Sequence, residues 1–140
     1  MAKNKIIIYT DGGSRGNPGP AAIGTVIQYD GKEKEYGKAI GKATNNVAEY
    51  QAIIFALKKI KQLIGKEKSK KREVEVKADT ELVVKQINRE YKIKKDGLKD
   101  YFIELWNLTQ DFKKVTFTHI LRSKNKNADR LVNQALDTLL

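Results

Sequence analysis

Lys5-Ile-Ile-Ile-Tyr-Thr-Asp-Gly-Gly13 is a β-branched and aromatic run that stops at Asp11-Gly-Gly, the pattern of a buried strand ending in a turn. Ala21–Tyr29 reads as a second strand, with Ile23, Thr25, Ile27 and Tyr29 on one face and Val26 on the other. Asp30-Gly31 is a strong short hairpin signal, so Lys34–Ile40 is expected to pair back antiparallel. Gly37 and Gly41 weaken this third strand and point to an edge or a bulge. From Asn45 the period changes: Val47, Ala48, Tyr50, Ile53, Ile54, Ala56, Leu57, Ile60, Leu63 and Ile64 share a broad helical face, with Gly65 as its cap. Lys66–Arg72 reads as a solvated, charged connector and Val74–Ala78 as a fourth strand. Glu81–Arg89 and Leu98–Phe112 read as helices, Val115–Leu121 as a fifth strand and Ala128–Leu140 as a closing helix. The order βββαβααβα predicts an α/β fold with a five-stranded mixed sheet, an antiparallel meander followed by parallel strands reached through helices.

Composition narrows the function. At 140 residues, with no linker or repeat, residues 1–140 are expected to form a single domain. The absence of cysteine excludes disulfides and thiolate metal sites, and one histidine, His119, argues against zinc. Any metal would be held by oxygen, which points to Mg2+ or Mn2+. No apolar run reaches membrane-spanning length and Met1–Lys5 is too polar for a signal peptide, so a cytoplasmic protein without a membrane role is expected. Lys and Arg number 28 against 17 Asp and Glu, a formal charge of +11 that favours a polyanionic partner. A lysine-rich surface kept for solubility is the plainer explanation of the same charge.

Four carboxylates occupy comparable places. Asp11 and Asp79 end strands, while Glu49 and Asp129 lie in the first turns of helices. Singly, each has a structural explanation: a turn at Asp11, a cap at Asp79, a capping arrangement in Asn46-Val-Ala-Glu49, and a helix start marked by Asn127 for Asp129. Jointly they point elsewhere. Open α/β sheets place ligands beyond the carboxyl ends of their strands, where Asp11 and Asp79 must lie. Carboxylates brought together repel unless a cation compensates, and two divalent ions roughly 3.5–4 Å apart form the clamp for in-line phosphodiester displacement.

Tyr9-Thr-Asp-Gly-Gly-Ser-Arg-Gly-Asn-Pro-Gly-Pro20, followed by Thr44-Asn-Asn-Val-Ala-Glu49, closely resembles type 1 ribonuclease H. Ala78-Asp-Thr-Glu-Leu-Val-Val84 and Asn125-Lys-Asn-Ala-Asp-Arg130 match in the family's order and spacing, and the resemblance covers essentially the whole chain. It implies a ribonuclease H-like fold and a metal-dependent endoribonuclease that hydrolyses the RNA strand of RNA–DNA hybrids by a two-metal-ion mechanism. Asp11, Glu49, Asp79 and Asp129 would be both catalytic and metal-binding, holding two Mg2+ or Mn2+ ions when substrate is bound. The resemblance also implies that Gly12, Gly13, Asn17, Asn45 and Asn46 meet the hybrid, and that Lys42 and Thr44 hold a DNA-strand phosphate. No obligate protein partner is implied, and a monomer is expected.

Two departures stand out. The loop Leu121–Ala128 lacks the histidine that many bacterial members carry; Arg122 or Lys124 is expected to take over phosphate contact or product release, and His119 reads as a half-buried strand residue. The segment between Asn88 and Leu98 is too short for the basic handle of some members, leaving Arg89, Lys92, Lys94 and Lys95 to meet the DNA backbone. Trp106, at helical spacing with Phe102, Ile103 and Leu105, is expected in the core. Two rivals remain at this point: a nuclease for another duplex on the same fold, and a binding module without catalysis.

Overall fold

A computed structural model describes residues 5–94 and 96–139. Expectations for Met1–Asn4, Lys95 and Leu140 lie outside the described residues. The elements are β1 (Ile6–Ser14), β2 (Gly19–Tyr29), β3 (Lys32–Ala43), α1 (Asn45–Ile64), α2 (Lys66–Ser69), β4 (Glu73–Ala78), α3 (Glu81–Ile87), α4 (Asp96–Thr109), β5 (Lys114–His119) and α5 (Lys126–Asp137), with a 3-10 turn at Arg122–Lys124. The strands form one sheet in the order β3-β2-β1-β4-β5, antiparallel from β3 to β1 and parallel from β1 to β5. This is the α/β mixed sheet that the pattern predicts.

Alternation along the strands assigns the two faces. Ile6, Ile8, Ile27, Val74 and Val76 pack against Tyr50, Ile53, Leu57 and Ile60 of α1, Val83 of α3 and Leu105 of α4. On the other face Ala22 packs against Val132 and Leu136 of α5. Each fully buried large side chain here contributes about 1.5–3 kcal/mol relative to exposure.

Several expectations change. β1 does not stop at Asp11-Gly-Gly: its pairing with β4 ends at Thr10, but its pairing with β2 runs on to Ser14 opposite Ala21. β3 is an edge, as expected, and the β2–β3 register slips beside Ala21, where Gly41 takes a φ of +84°. The connector after Gly65 contains the turn of helix α2, whose Ser69 is fully buried and donates its hydroxyl to the Gly65 carbonyl at 2.7 Å. Trp106 is 54% exposed rather than in the core, because the buried line of α4 runs through Leu98 and Leu105. His119 is exposed at the end of β5 rather than half-buried. Among the described residues no helix lies between Ile87 and Asp96.

Candidate active site

The parallel ladder of β1 and β4 closes on the pair Thr10 and Ala78, so the next residues, Asp11 and Asp79, emerge at the same end of neighbouring strands. Glu49 comes from α1. The helix is capped by Thr44, whose hydroxyl accepts the Val47 N–H at 3.2 Å, and not by the Asn46–Glu49 arrangement read from the sequence. Gly12 fixes how closely helix and strand approach: a Cβ there would lie 2.3 Å from the carbonyl carbon and oxygen of Ala48. Its bareness therefore admits α1, which presses Glu49 against the end of β1.

Asp11, Glu49 and Asp79 each offer a carboxylate oxygen, and these atoms all lie within 4.8 Å of one another. Asp11 and Glu49 are buried, at 8% and 7% exposure. Asp129 stands outside this triplet, in the first turn of α5, but lines the same cavity of about 460 Å³ with Gly12, Gly13 and Asn45. The electrostatics are those of like charges forced together. Burial, followed by the charges of Asp79 and Asp129, raises the Asp11 carboxyl to about 7. Burial, followed by the charges of Asp11 and Asp79, raises Glu49 well above the usual carboxylate range.

The donor set fits a hard divalent cation. It is entirely oxygen, like charges crowd within it, and Glu49 Oε2 is buried without a hydrogen-bond partner. Arg122 Nη2 stands 3.8 Å from Asp129 Oδ1, a long ion pair whose arginine side chain is 84% exposed.

Of the other expected site residues, Gly12, Gly13, Asn45 and Arg122 line this cavity, whereas Asn46 and Lys124 do not. Asn45 Oδ1 accepts the Ser14 N–H, and Asn17 Oδ1 accepts the Asn45 N–H, both at 3.0 Å. These two bonds lock the loop after β1 to the start of α1. Gly13 lines the acidic cavity, with Val132 of α5 in ordinary contact distance of where a Cβ would stand. Lys42 is exposed near the end of β3, opposite Pro20. Asn46 instead lines a separate groove of about 550 Å³ with Leu82, Tyr91, Lys92 and Lys94. Arg122 reaches the acidic cavity, whereas Lys124 lines a different cavity beside Tyr9 and Asn125.

Sequence reasoning missed two residues. Arg15 lines the acidic cavity and its guanidinium meets Asp137 of α5 at 2.6 Å, a pairing across 122 positions that no local pattern signals. Asn125, not Asn127, precedes α5, and it is 1% exposed.

Residues 9–135 match the family described as reverse transcriptase-like. A bifunctional protein of Mycobacterium tuberculosis is 38% identical over 136 residues, covering 95% of this chain and 36% of that protein. Ribonuclease HI of Halobacterium salinarum is 38% identical over 135 residues, covering 95% of this chain and 65% of that protein. The chain thus spans well under two thirds of the first relative and just under two thirds of the second. Among solved structures, LC11-RNase H1, isolated from compost, superposes with a TM-score of 0.88 at 47% identity, covering 97% of this chain and 98% of that one. The same protein in complex with an RNA/DNA hybrid gives 0.88 at 45% identity, covering 96% and 98%. The chain belongs to the type 1 ribonuclease H family. Among the described residues no helix is long and apolar enough to cross a membrane.

Proposed function

We propose that this protein is an endoribonuclease that hydrolyses the RNA strand of RNA–DNA hybrids, leaving 3′-hydroxyl and 5′-phosphate ends. The observation that carries the reading is the convergence of Asp11, Glu49 and Asp79 within 4.8 Å, with one buried Glu49 oxygen lacking any donor. In this reading Asp11, Glu49, Asp79 and Asp129 hold two divalent ions, Mg2+ first and Mn2+ as substitute. Such ions, when bound, activate a water and stabilise the charge on the leaving oxygen.

The chain's own residues supply placement. Burial of Asp11 and Glu49 keeps water from screening the carboxylates. The Asn17–Asn45–Ser14 bonds hold a backbone edge beside the cavity, and amide and backbone groups of that kind can engage the 2′-hydroxyl that separates RNA from DNA. Gly12, Gly13, Asn17, Asn45 and Asn46 are the residues assigned to the hybrid, with Lys42 and Thr44 assigned to a DNA-strand phosphate. Arg89, Lys92 and Lys94, in the short segment after α3, extend the basic surface along the duplex. Arg122 stands where a cation can meet a phosphate beside Asp129. The 140 residues act as one catalytic domain, as a monomer in the cytoplasm.

The test is cleavage of an end-labelled RNA–DNA hybrid with Mg2+, with EDTA, and with Asp11→Asn, beside duplex DNA, duplex RNA and single-stranded RNA. Cutting confined to the RNA of the hybrid, and lost with EDTA or Asp11→Asn, is expected. Binding without cutting would make the chain an inactive module, and cutting of another duplex would change its substrate class.

A further inference from the structure

Asn125 is a buried polar side chain tied to three of the four carboxylate positions at once. Its Nδ2 donates to the Thr10 carbonyl at 2.8 Å and to Asp79 Oδ2 at 3.3 Å. Its backbone carbonyl accepts the Asp129 N–H at 3.1 Å. Thr10 immediately precedes Asp11. One residue therefore joins the strand that carries Asp11, the carboxylate of Asp79 and the first turn of the helix that carries Asp129.

The orientation of the amide follows from its neighbours. A backbone carbonyl and a carboxylate are acceptors, so the NH2 must face them both. The Oδ1 is consequently turned away, and it is buried with no hydrogen-bond partner. A buried acceptor without a donor opposes folding. An apolar residue of similar size would avoid that cost at a purely structural position; it would also leave Asp79 Oδ2 and the Thr10 carbonyl without their shared donor.

We propose that Asn125 is the positioning residue of the acidic cluster: its amide sets where Asp79 points relative to β1, and its carbonyl sets the start of the helix that presents Asp129. The proposal rests on the cluster being a cation site, as the hydrolytic reading requires. Groups that orient ligands from behind typically change metal affinity or activity by about 10–100-fold when removed.

The experiment uses Asn125→Ser, which keeps a small polar side chain but cannot span both acceptors, and Asn125→Asp, which keeps the shape but presents acceptors to acceptors. Three quantities are read for each: Mn2+ affinity of the free protein by calorimetry, kcat and KM on the hybrid with saturating Mn2+, and the melting curve in EDTA. Asn125→Ser is expected to bind Mn2+ at least tenfold more weakly and to lose kcat by a similar factor. Its KM for the hybrid should be unchanged, because the side chain is buried. Asn125→Asp is expected to lose kcat at least tenfold even though a further negative charge by itself favours a cation. A merely structural residue would lower the melting temperature and leave Mn2+ affinity and kcat within twofold below the transition, which overturns the proposal. If Asn125→Ser is not folded at the assay temperature, the kcat of Asn125→Asp decides. Wild type that binds Mn2+ but leaves the hybrid intact removes the hydrolytic reading, and the affinity arm still decides on Asn125. Wild type that binds no Mn2+ overturns both.

Discussion

β1, β4 and α1 each have two ends of opposite character. Toward one end Ile6, Ile8, Val74, Val76, Ile53, Leu57 and Ile60 interlock without a polar atom among their side chains. Toward the other the same three elements bring Asp11, Asp79 and Glu49 together, two of them buried. The apolar end gains free energy from burial and the acidic end loses it, since charge taken from water and set beside like charge is unfavourable. The core thus holds the acids in an arrangement they would leave if free. A site that binds a cation tightly has to be poor company for itself when the cation is absent.

Damage to the apolar end should be the largest effect on stability. Leu57 is fully buried on α1, so Leu57→Ala is expected to cost about 2–5 kcal/mol, the range for a buried leucine reduced to alanine. Urea or thermal denaturation measures it. Below the transition the remaining folded protein should keep near-normal kcat, because the acid cluster's own contacts are untouched. A small stability loss with a large kcat loss would mean that the two ends are not separable in this way.

The acidic end should show the opposite sign. With its folded pKa at about 7 and an unfolded value near 3.8, Asp11 retains in the folded state a proton that the unfolded chain has already released. Its contribution to stability is therefore fully present below about pH 4 and lost as pH rises through about 7. In EDTA the protein is expected to be less stable at pH 8 than at pH 5 on account of this group, and Glu49 adds in the same direction. Asp11→Asn removes the charge, so it should raise the melting temperature in EDTA at pH 8 while abolishing hydrolysis. One pKa unit corresponds to about 1.4 kcal/mol, which sets the scale of the gain. Added Mg2+ should stabilise wild type at pH 8 and leave Asp11→Asn nearly unmoved. A wild-type melting curve indifferent to both pH and Mg2+ would show that the cluster carries no such repulsion.

The sequence announces these two ends unequally. Periodicity alone yields the element order and the apolar faces, because Ile6, Ile8, Val74 and Val76 alternate and Ile53, Leu57 and Ile60 recur at helical spacing. Four acids at strand ends and helix starts are equally readable. What local pattern does not carry is the rest. Trp106 looks internal because it follows Phe102 and Ile103 at helical spacing, yet Ile103 is itself 56% exposed, Trp106 is 54% exposed, and the buried line of α4 runs through Leu98 and Leu105. Gly12-Gly13 looks like a turn, but β2 pairs alongside and continues β1 to Ser14. Asn125 looks like one more polar residue before a helix, and only the fold brings Thr10, 115 positions away, to its amide.

Arg122 tests the rim where the two characters meet, and its effect should be the smallest. It is 84% exposed and stands 3.8 Å from Asp129, so as an ion pair it is worth no more than about 1 kcal/mol. Arg122→Ala should leave the EDTA melting curve within experimental error of wild type. Its value lies in kinetics, since a cation beside Asp129 can draw a product phosphate out of the acidic cavity. At saturating hybrid, steady-state kcat is expected to fall by up to about fivefold, the factor that 1 kcal/mol represents. Single-turnover cleavage should keep its wild-type rate, and with hybrid in excess a burst should precede the slowed steady state. Equal losses in both regimes would place Arg122 at the bond-breaking step, and no loss in either would leave it a solvated side chain with no part in turnover.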